Sequence, residues 1–142
     1  PARLQHLKTG ALANRLRPQQ ELWLDGGHNE AAAVTIAAWL DVVAKKPAHL
    51  VIGMLNSKDP TAFLEKIKHH VMSLHTVAIP GEEASFGADE LAVFAKGLGI
   101  SVIPSDSVSQ ALDDIARTED GPGRVLIAGS LYLAGKVLAE NG

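Results

Sequence analysis

The chain has 142 residues, of which 46% are hydrophobic and only 4% aromatic, and a formal net charge of -3. This length is enough for one domain with a core of its own, built mainly from Ala, Val, Leu and Ile. The mixed charges give no reason to expect a nucleic acid or an anionic membrane as a partner, and the absence of cysteine excludes disulfide bonds and thiolate catalysis.

The N-terminal segment, residues 1–18, shows weak periodicity and has a proline at each limit. We expect it to lead into the fold, with space for a short hairpin before the first strand. Its basic residues are Arg3, Lys8, Arg15 and Arg17.

The clearest pattern lies at residues 22–44. An apolar run at 22–24 is followed by an acid, two glycines, His28 and Asn29, and then by an alanine-rich stretch with helical spacing. This pattern predicts a strand, a tight turn and a helix over residues 29–44 that Asn29 caps. The residues of this helix available for burial are Val34, Ile36, Ala37, Leu40 and Val43.

The same strand and helix unit recurs along the rest of the chain. Strands are predicted at residues 49–55, 74–79, 101–103 and 124–128, and helices at 60–71, 88–98, 107–117 and 130–138. The helix at 88–98 is expected to bury Leu91, Phe94 and Leu98. Strands alternating with helices imply a Rossmann-like three-layer α/β sandwich, with a mostly parallel sheet of five to six strands and helices on both faces.

Polar residues follow three predicted strands, in the loops 25–29, 56–59 and 129–130. The carboxyl ends of parallel strands meet at one edge of a sheet, where ligands usually bind in open α/β folds. We therefore expect these loops to converge on one binding site. Gly26 and Gly27 would let the backbone approach a ligand closely.

Several common site types are not supported. Neither Gly26-Gly27 nor Gly97-Leu98-Gly99 completes the dinucleotide-binding fingerprint, and no Gly-x-x-x-x-Gly-Lys-Ser/Thr segment occurs, so the sequence contains no P-loop. His69, His70 and His75 lack the spacing of metal ligands. No signal peptide or apolar run of transmembrane length is evident, so we expect a cytoplasmic protein.

Three residues of the 25–29 loop could bind a ligand, and each has a structural alternative. Asp25 could accept hydrogen bonds from ribose hydroxyls, or form an Asx turn with nearby N–H groups. His28 could donate to a phosphate beside the helix N-terminus, or be structural. Asn29 could contact a substrate, or only cap the helix.

Two other loops carry candidates for holding a carboxylate. Lys58 is a long cation on the loop before Pro60, and its alternative is a solvent-exposed pair with Asp59, which would contribute little stability. Ser130 could hydrogen-bond the same carboxylate or act as an N-cap. Tyr132 is as suited to packing as to binding.

Asp25-Gly26-Gly27-His28-Asn29 resembles the Asp-Gly-Ala-His-Asn motif of the C-terminal domain of folylpolyglutamate synthase and dihydrofolate synthase, members of the Mur ligase superfamily. Three more segments resemble motifs of that family in the same order. They are Pro1-Ala2-Arg3-Leu4-Gln5 (Pro-Gly-Arg-x-Gln), Gly53-Met54-Leu55-Asn56-Ser57-Lys58-Asp59 (Gly-x-Leu-x-Asp-Lys-Asp) and Gly129-Ser130-Leu131-Tyr132-Leu133-Ala134-Gly135 (Gly-Ser-Leu-Tyr). Together they cover nearly the whole chain.

The resemblance implies an ATP-dependent ligase that adds glutamate to folate, or joins dihydropteroate to glutamate, through an acyl phosphate with ATP and Mg²⁺. By the same resemblance, ATP would be bound by Arg3, Asp25 and His28, and glutamate by Asn29, Lys58 and Ser130. From its pattern alone, Arg3 would be a solvated arginine near a chain end. No catalytic residue and no metal ligand is expected on this domain alone.

The resemblance also implies a partner within the same enzyme. The P-loop and most of the Mg²⁺ ligands would belong to a central ATPase domain that residues 1–142 do not include. This single domain would close over that domain as a lid. We expect the isolated domain to be inactive, the whole enzyme to be a monomer, and the chain to be an excised part of it.

Four positions depart from the family pattern. Gly27 replaces the usual alanine and Glu30 the frequent proline, changes expected to loosen the turn or to add a charge near the nucleotide. Ala2 replaces the glycine before Arg3, and Ser57 replaces the first aspartate of the Asp-Lys-Asp loop, which alters the details of substrate contact.

An alternative function is a stand-alone nucleotide-binding or regulatory α/β module without catalysis. It predicts measurable ATP affinity in the isolated chain, whereas a severed lid should bind ATP weakly or not at all.

Overall fold

The computed structural model describes residues 2–43 and 45–142, so Pro1 and Ala44 lie outside the described residues. Within the described residues the chain forms six strands and five α-helices. The strands are β1 (Gln5–Leu7), β2 (Gln20–Leu24), β3 (Ala48–Ile52), β4 (Ser73–Thr76), β5 (Val102–Pro104) and β6 (Gly123–Ala128). The helices are α1 (Glu30–Val42), α2 (Pro60–Ile67), α3 (Ala88–Gly97), α4 (Val108–Thr118) and α5 (Leu131–Asn141). None of these described helices has the length and hydropathy needed to cross a bilayer.

All six strands belong to one sheet, in the order β1-β2-β6-β3-β4-β5. β1 pairs antiparallel with β2, and the other pairs are parallel. Leu24 of β2 lies opposite Ile127 of β6, and Ile52 of β3 lies opposite Ala128. The carboxyl ends of β2, β6 and β3 are therefore aligned side by side. This confirms the predicted α/β sandwich with a mostly parallel sheet.

Helices cover both faces of the sheet. Val125 and Ile127 of β6 belong to a buried cluster with α4 and α5, while Leu126 and Ala128 belong to a second cluster with α1, α2 and α3. β3 is buried along its whole length, as its apolar run predicts. Because full burial of one Leu or Ile side chain stabilises a fold by about 1.5–3 kcal/mol, these two layers fix the strand ends that carry the polar loops.

The predicted helix starts are confirmed. Asn29 Oδ1 accepts the Ala32 N–H at 2.9 Å and caps α1. Asp59 caps α2, with Pro60 at the first helical position, where a missing N–H is tolerated. Ser107 caps α4 in the same way as Asn29 caps α1.

Two predictions of helix burial are wrong in detail. Val34 of α1 is 52% exposed. The buried face of this helix is formed by Ala33, Ile36 and Leu40, and the Val34 side chain lies outside that face. Phe94 of α3 is only partly buried and packs edge-on against Phe86, while Ala92 and Ala95 join Leu91 in the core. The remaining end of the predicted first helix, at Ala44, lies outside the described residues.

The N-terminal segment is held by the other end of the chain, which sequence patterns did not predict. Asn141 of α5 is buried, and its Oδ1 accepts the N–H groups of Leu12 and Ala13 at 2.9 and 3.0 Å. Its Nδ2 donates to the Thr9 carbonyl at 2.9 Å. These bonds position residues 8–19, which connect β1 to β2. The expected short hairpin before the first strand is not found within residues 2–18, because β1 pairs instead with the first predicted strand, β2.

Candidate functional site

The loops after β2 and β6 are joined at the carboxyl edge of the sheet, beside the end of β3 that leads into the 56–59 loop. The Gly129 N–H donates to the Gly27 carbonyl at 2.9 Å, and the Gly53 N–H donates to the Ala128 carbonyl at 3.3 Å. The first loop is attached as well, because the Asp25 N–H donates to the Ile127 carbonyl at 2.9 Å. Segments that are far apart in sequence are thus joined by direct backbone hydrogen bonds, as the parallel strand order predicts.

A cavity of about 510 Å³ opens beside the first loop. Its walls come from the N-terminal segment, the turn after β2, the first two turns of α1 and the start of α5. The lining residues are Ala2, Arg3, Leu4, Asp25, Gly26, Gly27, His28, Asn29, Ala31, Ala32, Thr35 and Leu131. The cavity lies in the size range of small-molecule sites, about 300–1,000 Å³.

Asp25 connects two walls of this cavity. It is only 8% exposed, its Oδ1 accepts the Leu4 N–H at 2.9 Å, and its Oδ2 accepts the Gly27 N–H at 2.7 Å. These contacts fit the Asx-turn alternative, extended by the bond to Leu4. A carboxylate oxygen can accept a second hydrogen bond, so each keeps acceptor capacity for a ligand hydroxyl.

Arg3 lies exposed at the rim, between two residues with left-handed backbone conformations. Ala2 has a φ of 53° and Leu4 a φ of 43°, a region that favours glycine. The segment is held in this conformation because the Gly26 N–H donates to the Ala2 carbonyl at 2.6 Å and Asp25 accepts from Leu4. Ala2 therefore adopts the conformation that the glycine of the resembling family would adopt freely.

The two glycines of the turn lie close to their neighbours, and the contact at Gly27 is the stricter one because the exposed Leu131 side chain beside Gly26 can move. A Cβ on Gly26 would lie 2.5 Å from Leu131 Cδ2, and one on Gly27 would lie 2.6 Å from the Ala32 Cβ. Gly27 lets the turn pack closely against α1, and its expected loosening of the turn stays a prediction.

The start of α1 gives the cavity backbone N–H donors, and His28 lines the cavity beside them. His28 Nδ1 is buried and has no hydrogen-bond partner among the described residues. The first N–H groups of α1 and its positive dipole end favour an anion nearby. Asn29 is exposed, and its Oδ1 is occupied by capping the helix, which leaves its amide nitrogen free to contact a ligand.

Ser130 lies behind the cavity rather than in its wall. It is 3% exposed, and its Oγ accepts the N–H groups of Tyr132 and Leu133 at 3.0 and 3.3 Å. These are the contacts of an N-cap. Gly129 before it has a φ of 112° and fits only without a side chain, since a Cβ there would lie 2.4 Å from the Gly53 carbonyl oxygen.

Lys58 stands apart from the cavity as well. Its backbone N–H donates to the Leu55 carbonyl at 3.0 Å, and its side chain is partly exposed. The alternative pairing with Asp59 is not formed within the described residues, and Asp59 Oδ1 accepts the Ala62 N–H at 3.1 Å and caps α2. The cavity thus gathers Arg3, Asp25, His28 and Asn29, but neither Lys58 nor Ser130.

The sequence reasoning missed two residues of this edge. Leu131, 64% exposed, lines the cavity and lies against Gly26. Thr35 lines it from α1, one turn after Ala31. Thr35 lies three and four residues after Ala32 and Ala31, so helical spacing places it on the face of α1 that lines the cavity. Tyr132 next to Leu131 is exposed, so in the described chain it does not pack into the core.

No group of three or more His, Asp, Glu or Cys side chains that could hold a metal ion occurs in residues 2–43 and 45–142.

Comparison with protein families gives one match, to a model described as the C-terminal domain of dihydrofolate synthetase, over residues 8–140. A comparison with curated protein sequences gives no match.

Solved structures with the same fold cover 98% of this chain. A bifunctional folylpolyglutamate synthase/dihydrofolate synthase from Yersinia pestis, complexed with AMPPNP and Mn ion, is 25% identical with a TM-score of 0.78. E. coli FolC in complex with DHPP and ADP is 25% identical with a TM-score of 0.77. Mycobacterium tuberculosis folylpolyglutamate synthase complexed with ADP, at 21% identity and a TM-score of 0.78, agrees in fold. The chain spans about 30% of the length of the first two and 32% of the third.

Proposed function

This chain belongs to the family of dihydrofolate synthetase C-terminal domains, and from this premise we propose that it is the closing domain of an ATP-dependent carboxylate–amine ligase. The ligase adds glutamate to folate, as folylpolyglutamate synthase, or joins dihydropteroate to glutamate, as dihydrofolate synthase. The observation that carries the proposal is the cavity at the carboxyl edge, which combines Arg3, the α1 N-terminus and His28. It is a cytoplasmic domain in this proposal.

The cavity residues fit the nucleotide part of this reaction. The N–H groups at the start of α1 suit a phosphate, the Arg3 guanidinium supplies a mobile positive charge at the rim, and His28 Nδ1 is a buried polar atom without a partner in the described chain. In this reaction the γ-phosphate of ATP is transferred to a substrate carboxylate and ADP is released. The glutamate amine then attacks the acyl phosphate and releases inorganic phosphate. Mg²⁺ held by the second domain would screen the charges.

Asp25 has two tasks in this proposal. By accepting the Leu4 N–H it fixes the backbone beside Arg3, so the guanidinium is presented from a defined position. Its remaining lone pairs accept a ribose hydroxyl. Arg3, Asp25 and His28 therefore act together on the nucleotide, and their contribution is positioning and electrostatic stabilisation.

Glutamate would be held next to the cavity, at the loop that follows β3. Lys58 lies on this loop and is partly exposed, so in this proposal its ammonium binds a carboxylate of glutamate. Asn29 reaches the same edge with its free amide nitrogen. Ser130 is buried and acts through the turn that it caps, which holds Leu131 over Gly26.

The chain would need a second domain to complete the chemistry. A P-loop and ligands for Mg²⁺ are proposed to come from the central ATPase domain of the same enzyme, on which this domain closes. Leu131 and Tyr132 offer apolar surface at the edge that would meet that domain. The ligase acts as a monomer in this proposal, and the isolated domain has no turnover.

Steady-state kinetics of the complete ligase test the assignments. Loss of one charge-assisted hydrogen bond costs about 1.5–3 kcal/mol, so Arg3→Ala should raise the KM for ATP, and Lys58→Ala the KM for glutamate, by about 10-fold or more. Lys8→Ala, which removes an exposed charge from the same N-terminal segment, is the matched control. Unchanged KM values in both variants would contradict the proposed roles.

ATP titration of the isolated chain separates the ligase lid from a stand-alone nucleotide-binding module. The lid should bind ATP weakly, in the millimolar range or not at all. Tight binding by the isolated chain, together with no glutamate-dependent ATP hydrolysis by the complete protein, would favour the non-catalytic module.

A further inference from the structure

A second cavity, of about 530 Å³, lies at the opposite, amino edge of the sheet. Its walls are the end of α1, the segment leading into β3, the turn after α2 and the first part of β6. The nitrogen-bearing side chains in its walls are Lys45, Lys46, His69, His70 and Arg124, and one acid, Asp41, also lines it. None of the loops that form the candidate nucleotide site lines this second cavity.

Two of its cations are fixed by one carboxylate. Glu21 Oε2 accepts a hydrogen bond from Lys46 Nζ at 2.8 Å, and Glu21 Oε1 lies 3.0 Å from Arg124 Nε. Arg124 Nη1 also donates to the Val43 carbonyl at 2.6 Å. Burial raises the pKa of Glu21, but hydrogen bonds from Lys46 and Trp23 and the charge of Arg124 lower it to about 2. Glu21 is therefore ionised, and both cations are ordered without a ligand.

These contacts leave donors unused. A lysine ammonium has three N–H donors and an arginine guanidinium has five, so Lys46 and Arg124 keep several for a ligand after binding Glu21 and Val43. The side chains of Lys45, Lys46 and Arg124 are positively charged, and those of Asp41 and Glu21 are negatively charged. These five side chains therefore give the cavity a net positive charge. Arg124 satisfies the Val43 carbonyl at the α1 C-terminus and Lys46 is paired with Glu21, whereas Lys45 is exposed on the same wall and forms no ion pair within the described residues.

We propose that this cavity binds a phosphate group. Glu21 holds Arg124 and Lys46 side by side. The planar guanidinium of Arg124 and the ammonium of Lys46 can both donate hydrogen bonds to phosphate oxygens, and Lys45 adds a third positive charge. The volume exceeds what one phosphate fills and lies in the range of small-molecule sites. The chemical class is therefore inorganic phosphate or the phosphate end of a small phosphomonoester.

Titration of the isotope-labelled chain with inorganic phosphate, followed by amide NMR shifts, tests this proposal. We expect saturable shifts of the amides of Lys45, Lys46 and Ala48 and of residues 123–125, whether or not residues 25–31 at the proposed nucleotide site also shift. A second titration with phosphoserine distinguishes the two sources, since tighter binding of phosphoserine identifies a phosphomonoester and equal binding identifies free phosphate. Shifts confined to residues 25–31, or no saturation by tens of millimolar phosphate, would overturn the proposal.

Paired variants separate a defined site from general attraction of anions. Lys45→Met with Lys46→Met should weaken phosphate binding at least about 5-fold, as expected from the loss of a charge-assisted contact of roughly 1 kcal/mol or more. Lys8→Met with Lys136→Met changes the net charge equally at exposed sites outside the cavity and should have no such effect. Equal weakening in both pairs would refute a specific site. Lys45→Met alone, at an exposed position, gives the same test if loss of the Lys46–Glu21 bond disturbs folding.

Discussion

The Asp25 carboxylate holds the backbone of Leu4 at a sequence separation of 21 residues, with Oδ1 accepting the Leu4 N–H at 2.9 Å. The other oxygen, Oδ2, accepts the Gly27 N–H at 2.7 Å. One buried acid therefore sets both the shape of the turn after β2 and the place of the segment that carries Arg3.

Replacing Asp25 by Asn tests this double role. Asn has only one acceptor oxygen, so one of the two N–H groups loses its partner and the free energy of unfolding should fall by about 1–3 kcal/mol. In the complete ligase the KM for ATP should rise as well, because Arg3 loses its fixed position. Urea unfolding and steady-state kinetics measure the two effects. Asp106→Asn, an exposed acid before α4, is the control, and equal behaviour of the two variants would contradict the role of Asp25.

Gly129→Ala should be among the most destabilising small substitutions in the chain. The φ of 112° is strained for alanine, and its Cβ would lie 2.4 Å from the Gly53 carbonyl oxygen, so the backbone itself must move. We expect a loss of about 3 kcal/mol or more. Gly97→Ala in α3, where a Cβ meets nothing within 4 Å, should instead be neutral or stabilise by up to about 1 kcal/mol. Thermal unfolding of both variants provides the comparison.

The stability of the chain should fall in mild acid because of two buried histidines. His49 of β3 and His75 of β4 are each 3% exposed. Burial lowers the pKa of both below the ordinary 6.5, with His49 lowering that of His75 further, while Glu119 raises that of His49 and Asp114 that of His75. The unfolded chain therefore takes up protons first, and the free energy of unfolding should decrease as the pH falls below 6.5, by at most about 1.4 kcal/mol per pH unit for each histidine.

His75→Leu isolates this effect. His75 Nδ1 is buried without a partner in the described chain, so leucine removes a titrating group without breaking a hydrogen bond there. The variant should unfold with a flatter dependence on pH between 7.5 and 5.5 in urea titrations. A wild-type chain whose stability does not change over this range would show that neither histidine is held neutral by the fold.

Asn141→Ala should release the N-terminal segment. It removes the acceptor for Leu12 and Ala13 and the donor to Thr9, all around a buried side chain. We expect a loss of about 1–3 kcal/mol and faster amide hydrogen exchange at residues 11–16. Glu140→Ala, at the exposed neighbouring position, should leave both measurements unchanged.

Local signals predicted the architecture well because they have a direct physical cause. The apolar run of β3, the cap at Asn29 and the proline at position 60 each reflect one interaction within a few residues. Val34 was misplaced because a helix rich in alanine offers no strong contrast between its faces. The hydrogen bonds of Asn141 with residues 9–13 join the two ends of the chain, and no local pattern contains that information.

The candidate site was predicted only in part for the same reason. The strand order brings Asp25, Lys58 and Ser130 to one edge of the sheet. The side-chain contacts, however, determine which residues line the cavity. Ser130 turns inward to cap α5, and Lys58 lies on a loop beyond the cavity wall. Leu131 was missed because an exposed leucine carries no chemical signal in a sequence.

The order of the strands in the sheet also affects how the chain folds during its synthesis on the ribosome. β6 lies between β2 and β3 and pairs with both, yet it is the last strand to be made. Until residue 128 has left the exit tunnel, β2 and β3 each have one unpaired edge, and such edges favour association with other chains. Nascent chains stalled before Gly123 should therefore bind chaperones more strongly than chains stalled after β6 has left the tunnel.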